Sequence, residues 1–151
     1  MPLAPNRIPP GRILIVDDNA LGLVARKSVL AELGHEIVTT SLPHEALEMC
    51  SIQKFDLIIT DFKMPRMNGI EFIRHLRLVN KTVPVILLSG FTNTLGLSEE
   101  NTGANAVIQK SATEVAHLIR SVNQLLSKPA RKPAKSQGVR VARKSTAAAA
   151  E

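Results

Sequence analysis

Three acidic positions, one hydroxyl and one lysine carry the chemistry this sequence can offer. They are the pair Asp17-Asp18, then Asp61, Ser89 and Lys110. Each follows a short apolar run. Ile13-Leu14-Ile15-Val16 leads into Asp17-Asp18, and Leu57-Ile58-Ile59-Thr60 into Asp61. Val83 to Leu88 leads into Ser89-Gly90, and the weaker Ala106-Val107-Ile108 towards Lys110. Taken singly, these residues are ordinary: Asp17-Asp18-Asn19 reads as a helix cap, Asp61 as a loop carboxylate, Ser89-Gly90 as a turn and Lys110 as a solvated charge. Brought together, three carboxylates repel and take up protons unless a cation neutralises them. A hard divalent ion with oxygen ligands, Mg2+ above all, meets that need. An ammonium and a hydroxyl beside the ion make a place for an anionic tetrahedral group. The chemistry that uses all these parts is phosphoryl transfer to a carboxylate.

The elements that must position them read as strand and helix in turn. Ile37-Val38-Thr39 completes a set of five strands. Between the strands, Ala20 to Leu33 reads as a helix stopped by Gly34, and Ala46, Leu47 and Cys50 share one helical face. Ile70, Ile73 and Leu76 share another, and Val115, Leu118, Ile119, Val122, Leu125 and Leu126 form the longest. Strands that are apolar throughout are covered on both faces, as in a parallel sheet. Five βα units with right-handed crossovers give an α/β doubly wound five-stranded parallel sheet, with helices on both faces. In such a sheet, sites form outside the carboxyl ends of the strands, where these polar residues stand. Thr92 to Thr102 is rich in poor helix formers, so a short, mobile fourth helix is expected there.

Composition narrows the function classes. The chain has 151 residues and a net charge of +6, with 44% hydrophobic and 21% charged residues, which suits one domain with a buried core. Residues 1–127 hold twelve basic and twelve acidic residues, so the excess lies in residues 128–151, where seven basic residues face Glu151 alone. The expected organisation is a Pro-rich extension over 1–11, a domain over 12–127 and a basic, disordered tail over 128–151. No apolar run is long enough to span a membrane and no signal sequence opens the chain, so a cytoplasmic location is expected. Cys50 is the single cysteine, which excludes an intramolecular disulfide, and its helical face marks it as a small core hydrophobe. His35, His44, His75 and His117 have no metal-ligand spacing.

The stretch from Arg12 to Leu126 resembles the receiver domain of bacterial two-component response regulators, of the stand-alone kind seen in chemotaxis regulators. The resemblance is carried by Ile13 to Asn19 (ILIVDDN), Asp61 to Gly69 (DFKMPRMNG), Leu87-Leu88-Ser89-Gly90 and Lys110. It implies the flavodoxin-like strand order 2-1-3-4-5. It also implies that Asp61 accepts a phosphoryl group from a sensor histidine kinase or a histidine phosphotransfer protein. Asp18, Asp61 and the Lys63 carbonyl would ligate Mg2+ directly, with Asp17 acting through water. Ser89 and Lys110 would hold the phosphoryl oxygens, and Met64-Pro65 and Gly69 would shape the loop after the nucleophile. Such a domain modifies only itself and signals by shape change to a downstream protein; a homodimer is compatible with this reading.

Two departures from the family pattern stand out. Ser111 replaces the proline that usually follows the lysine, so the Lys110–Ser111 bond is expected to be trans or strained. Ser111-Ala112-Thr113-Glu114 offers a capping box as a substitute anchor for the last helix. Val107 stands where many receivers carry an aromatic switch residue, which puts transmission through that ring in doubt and shifts expectation to the fourth helix. Phe91 would border the site, and Lys63 and Phe91 would flank any attacking water. The alternative reading is a receiver-like scaffold that takes no phosphate, with the tail binding nucleic acid or anionic surfaces weakly and without sequence preference. A phosphatase with a phospho-aspartate intermediate is disfavoured, because it needs its nucleophile on the first strand with another acid just downstream, whereas here the acids Asp17 and Asp18 are adjacent and the nucleophile candidate Asp61 lies on the third strand.

Overall fold

A computed structural model of the chain describes residues 8–90 and 96–127. Five strands, β1 (Arg12–Val16), β2 (Glu36–Thr40), β3 (Leu57–Asp61), β4 (Val85–Ser89) and β5 (Ala106–Gln109), form one sheet in the order β2-β1-β3-β4-β5. All four pairings are parallel. The helices are α1 (Ala20–Glu32), α2 (Pro43–Ile52), α3 (Gly69–Val79), α4 (Glu99–Thr102) and α5 (Glu114–Leu126). This is the doubly wound sheet, and the strand order, that the sequence pattern and the resemblance led us to expect.

Alternate side chains of each strand point to opposite faces, and here both faces are apolar. Leu14, Val16, Ile58, Val85 and Leu87 pack with Ala46, Phe72, Ile73 and Leu76 of α2 and α3. Ile13, Ile15, Leu57, Ile59, Ile86 and Leu88 pack on the other face with Leu30 of α1 and with Leu118, Val122 and Leu125 of α5. The three central strands are therefore buried almost throughout, while β2 at the edge is only half-buried. β4 starts at Val85, two residues later than the apolar run, because Pro84 just before it has no N–H for the ladder. Val115, placed on the apolar face of the last helix by its spacing, is 47% exposed.

The helix ends follow local chemistry. α1 begins at Asn19, whose side chain accepts the Gly22 N–H, and ends before Gly34, whose φ is 100°. α3 opens on a full capping box, in which Asn68 and Glu71 each accept the other's backbone N–H at 2.9 Å. The capping box expected over Ser111 to Glu114 does not form. Thr113 is the cap residue of α5 and its side chain makes no capping bond to the helix backbone, Ser111 Oγ instead accepts the Thr113 N–H, and Glu114 turns to Arg26 of α1. A buried guanidinium needs carboxylate partners more than an exposed backbone amide needs a cap. α4 is short, as expected, at four residues. Residues 92–95 of that stretch, Phe91 and the basic tail lie outside the described residues.

Candidate functional site

Register carries the polar residues to one edge of the sheet. Val16 pairs with Thr60, Asp61 with Leu88 and Ser89 with Gln109, so the carboxyl ends of β1, β3, β4 and β5 finish level. Backbone bonds extend the ladder one step further: Asp17 N–H donates to the Thr40 carbonyl, Phe62 N–H to that of Leu88, and Lys110 N–H to that of Ser89. A cleft of about 540 Å³ opens above these ends, lined among others by Asp18, Asp61, Lys63, Met64, Ser89 and Lys110. Four of the five polar positions read from the sequence therefore line one cleft, and Asp17 stands behind it.

The carboxylates of Asp17, Asp18 and Asp61 come close enough that one oxygen from each lies within 4.8 Å of the others. Asp17 and Asp61 are buried and Asp18 is exposed. Lys110 Nζ lies 2.6 Å from Asp61 Oδ1, and Arg26 Nη1 lies 2.6 Å from Asp17 Oδ2. Among the described residues, Asp18 has no ion-pair partner. Burial, helped by the nearby charge of Asp17, raises the Asp61 carboxyl above its ordinary pKa despite the opposing pull of Lys110 and Arg26. The donors are all hard oxygens and their negative charge is incompletely offset, a combination that fits a small divalent cation and no soft metal.

The loop after β3 is pinned from below. Met64 and Met67 are buried in the core, and Met67 N–H donates to the Pro65 carbonyl at 2.8 Å across Arg66, whose φ of 72° lies in the left-handed region. Gly69 N–H donates to the Phe62 carbonyl at 2.7 Å, which draws the start of α3 directly beneath the end of β3.

A family model of the response regulator receiver domain matches residues 13–132. The chain belongs to this family. It is 32% identical over 79 residues to the cell cycle transcriptional regulator CtrA of Caulobacter vibrioides, a match covering 52% of this chain and 34% of that protein. The chain spans well under half the length of the curated relatives it matches. Among solved structures, the chemotaxis protein CheY4 of Vibrio cholerae superposes with a TM-score of 0.70 at 26% identity, covering 78% of this chain and all of that one. The response regulator TrrA of Thermotoga maritima, solved in complex with Mg2+ and BeF, superposes at 0.69 with 31% identity, covering 76% of this chain and 98% of that one. The protein is thus a receiver domain of two-component signalling.

Other expectations for the receiver can be placed. The described backbone holds no cis peptide bond, so Lys110–Ser111 is trans. Val107 is half-buried against the α2/α3 core, registered beside Leu87, and offers no ring to swing. His35 is a satisfied core histidine: its Nδ1 accepts the Gly11 N–H at 3.0 Å, and burial lowers its pKa. His44, His75 and His117 are exposed. No described helix is long and apolar enough to cross a membrane. The residue that sequence reading missed is Arg26. The available signal was its spacing, because it occupies a core-facing place on α1 between Leu23 and Leu30.

Proposed function

We propose that this receiver accepts a phosphoryl group on Asp61 in the presence of Mg2+, from the phosphohistidine of a sensor kinase or a phosphotransfer protein. The observation that carries the reading is the meeting of Asp17, Asp18 and Asp61 with Lys110 at the edge where β1, β3 and β5 end. An oxygen of Asp61 forms the bond to phosphorus while the bond to the donor nitrogen breaks, and its electron pair leaves with the imidazole. Asp18 and Asp61, with the Lys63 carbonyl and with Asp17 through water, would hold the cation, whose contribution is to neutralise charge on the transferring group. Lys110, already 2.6 Å from the nucleophile, restrains its carboxylate and would offer its ammonium to a phosphoryl oxygen. Ser89, buried at the end of β4, would donate its hydroxyl to another.

Burial of Asp61 beside Asp17 keeps solvent from damping these interactions. It also disfavours the ionised nucleophile until a cation joins the cluster, so transfer should depend on Mg2+. Signalling to a downstream protein would follow from rearrangement of the edge elements around the cleft. The test is intact mass after incubation with Mg2+ and a small acyl phosphate. We expect one phosphate-sized gain in wild type, none without Mg2+ and none in Asp61→Asn. If wild type gained no mass and gave no Mg2+-dependent change with beryllofluoride, the scaffold reading would stand instead.

A further inference from the structure

On α1, a guanidinium is buried where the apolar face calls for a hydrophobe. The Arg26 side chain is only 10% exposed, and it lies between two acids from different ends of the domain. Nη1 donates to Asp17 Oδ2 at 2.6 Å, and Nε donates to Glu114 Oε2 at 2.8 Å, in the first turn of α5. Gly22, one turn before Arg26, makes the room: a Cβ there would stand 2.8 Å from Arg26 Nη1 and 3.0 Å from Asp17 Oδ2. The other oxygen of Asp17 is also engaged, accepting the Asn19 N–H at 2.9 Å. Both oxygens of the most buried acid of the cluster are therefore already bound within the protein. Two carboxylates share one guanidinium, so a second cation near Asp17 can draw on the same acid.

We propose that Arg26 is a positioning residue, the built-in counter-cation of Asp17, with which a divalent cation at the cluster competes and which such a cation drives towards Glu114 at the start of α5. The proposal rests on the reading of Asp17, Asp18 and Asp61 as the cation site. It gives the domain a route from the site to α5 that uses charge, where Val107 supplies no aromatic side chain. Because coupling between sites is reciprocal, a change at Glu114 must alter cation affinity by the same factor by which the cation alters the Arg26–Glu114 pair.

The experiment is calorimetric titration of the full chain with MgCl2, with phosphoryl uptake at Asp61 measured alongside. Gly22→Ala pushes the tip of Arg26 off Asp17 while keeping every charge, and Arg26→Met removes the competitor. Both should bind Mg2+ about three- to tenfold more tightly than wild type. Glu114→Gln leaves the guanidinium to Asp17 alone and should weaken Mg2+ binding about threefold. Hydrogen exchange at residues 114–117 should respond to Mg2+ in wild type and lose that response in Glu114→Gln. A purely structural strut would lower the melting temperature of Arg26→Met and leave Mg2+ affinity unchanged or weaker, which would overturn the proposal. Should Arg26→Met fail to fold, Gly22→Ala and Glu114→Gln decide the matter, since both keep the guanidinium. If wild type binds Mg2+ and takes up phosphate while the variants match its affinity, only the role of Arg26 falls. If wild type does neither, the cation site itself falls.

Discussion

Gly69 lies against the backbone of Asp61 more closely than any side chain allows: a Cβ at position 69 would stand 2.6 Å from the Asp61 carbonyl oxygen and 2.6 Å from Leu87 Cδ1. The contact fixes the height of α3 beneath the proposed nucleophile. One of the two obstructing atoms is backbone, so relief requires moving either α3 or the end of β3. Gly69→Ala should destabilise the fold by about 1–3 kcal/mol, the range for overpacking a filled site. It should also slow phosphoryl uptake, because Asp61 moves relative to Lys110 and Asp18. Thermal unfolding and uptake measured on the same sample check both effects. An alanine variant that melts and reacts like wild type would mean that α3 yields freely.

Asp61 makes stability depend on pH in a definite direction. Its folded pKa is raised, first by burial and then by the charge of Asp17. The folded state therefore holds the proton more tightly than the unfolded chain does. This contribution is fully present below the ordinary carboxylate pKa and is lost as pH rises through the raised one. Without Mg2+, Asp61→Asn should melt higher than wild type at neutral pH, and the gap should close on acidification. Added Mg2+ should raise the melting temperature of wild type more than that of the variant. Melting curves from pH 4 to 8, with and without the cation, give the comparison; a variant less stable at neutral pH would contradict it.

Cys50 should be nearly inert in the native protein. Burial on α2 pushes its thiol pKa up to about 11, so little thiolate exists near pH 8. Alkylation of folded protein at that pH should be slower than that of urea-unfolded protein by roughly a hundredfold. Equal rates would show that α2 opens readily.

Asn68 caps α3 at the far end of the loop that follows Asp61. Replacing it with Ala leaves the Glu71 N–H without its side-chain acceptor and should cost about 1 kcal/mol, whereas Asn68→Asp should cost far less. Denaturant titration of the two variants measures the difference. Equal losses would place the role of Asn68 outside capping.

Much of this protein was legible in its sequence, for reasons that can be named residue by residue. The runs from Ile13, Leu57 and Val83 are apolar at nearly every position, with no alternation of apolar and polar residues, which suits a strand covered on both faces, so the parallel sheet follows. In such a sheet the residue after each strand stands at the carboxyl edge, and that convergence of Asp17, Asp18, Asp61, Ser89 and Lys110 needs no distance to be foreseen. Gly34 as the stop of α1 and Cys50 as a residue turned towards the core, against which it packs half-buried, were likewise local statements, readable from backbone freedom and helical spacing.

What tertiary structure alone decided concerns partners far apart in the chain. Ser111 to Glu114 has the pattern of a capping box, yet Glu114 leaves that role for Arg26, 88 residues earlier, because a guanidinium keeps its charge when buried and carboxylates must offset the cost of taking that charge out of water. Arg26 itself occupies a place on α1 that spacing assigns to a hydrophobe, and nothing local announces that Asp17 and the gap over Gly22 will receive it. Local propensity and periodicity are set by residues within one or two turns of each other, and so they can be read along the chain. The pairing of buried charges is set by which side chains packing shuts away from water together, and only the folded arrangement of α1, β1 and α5 determines that.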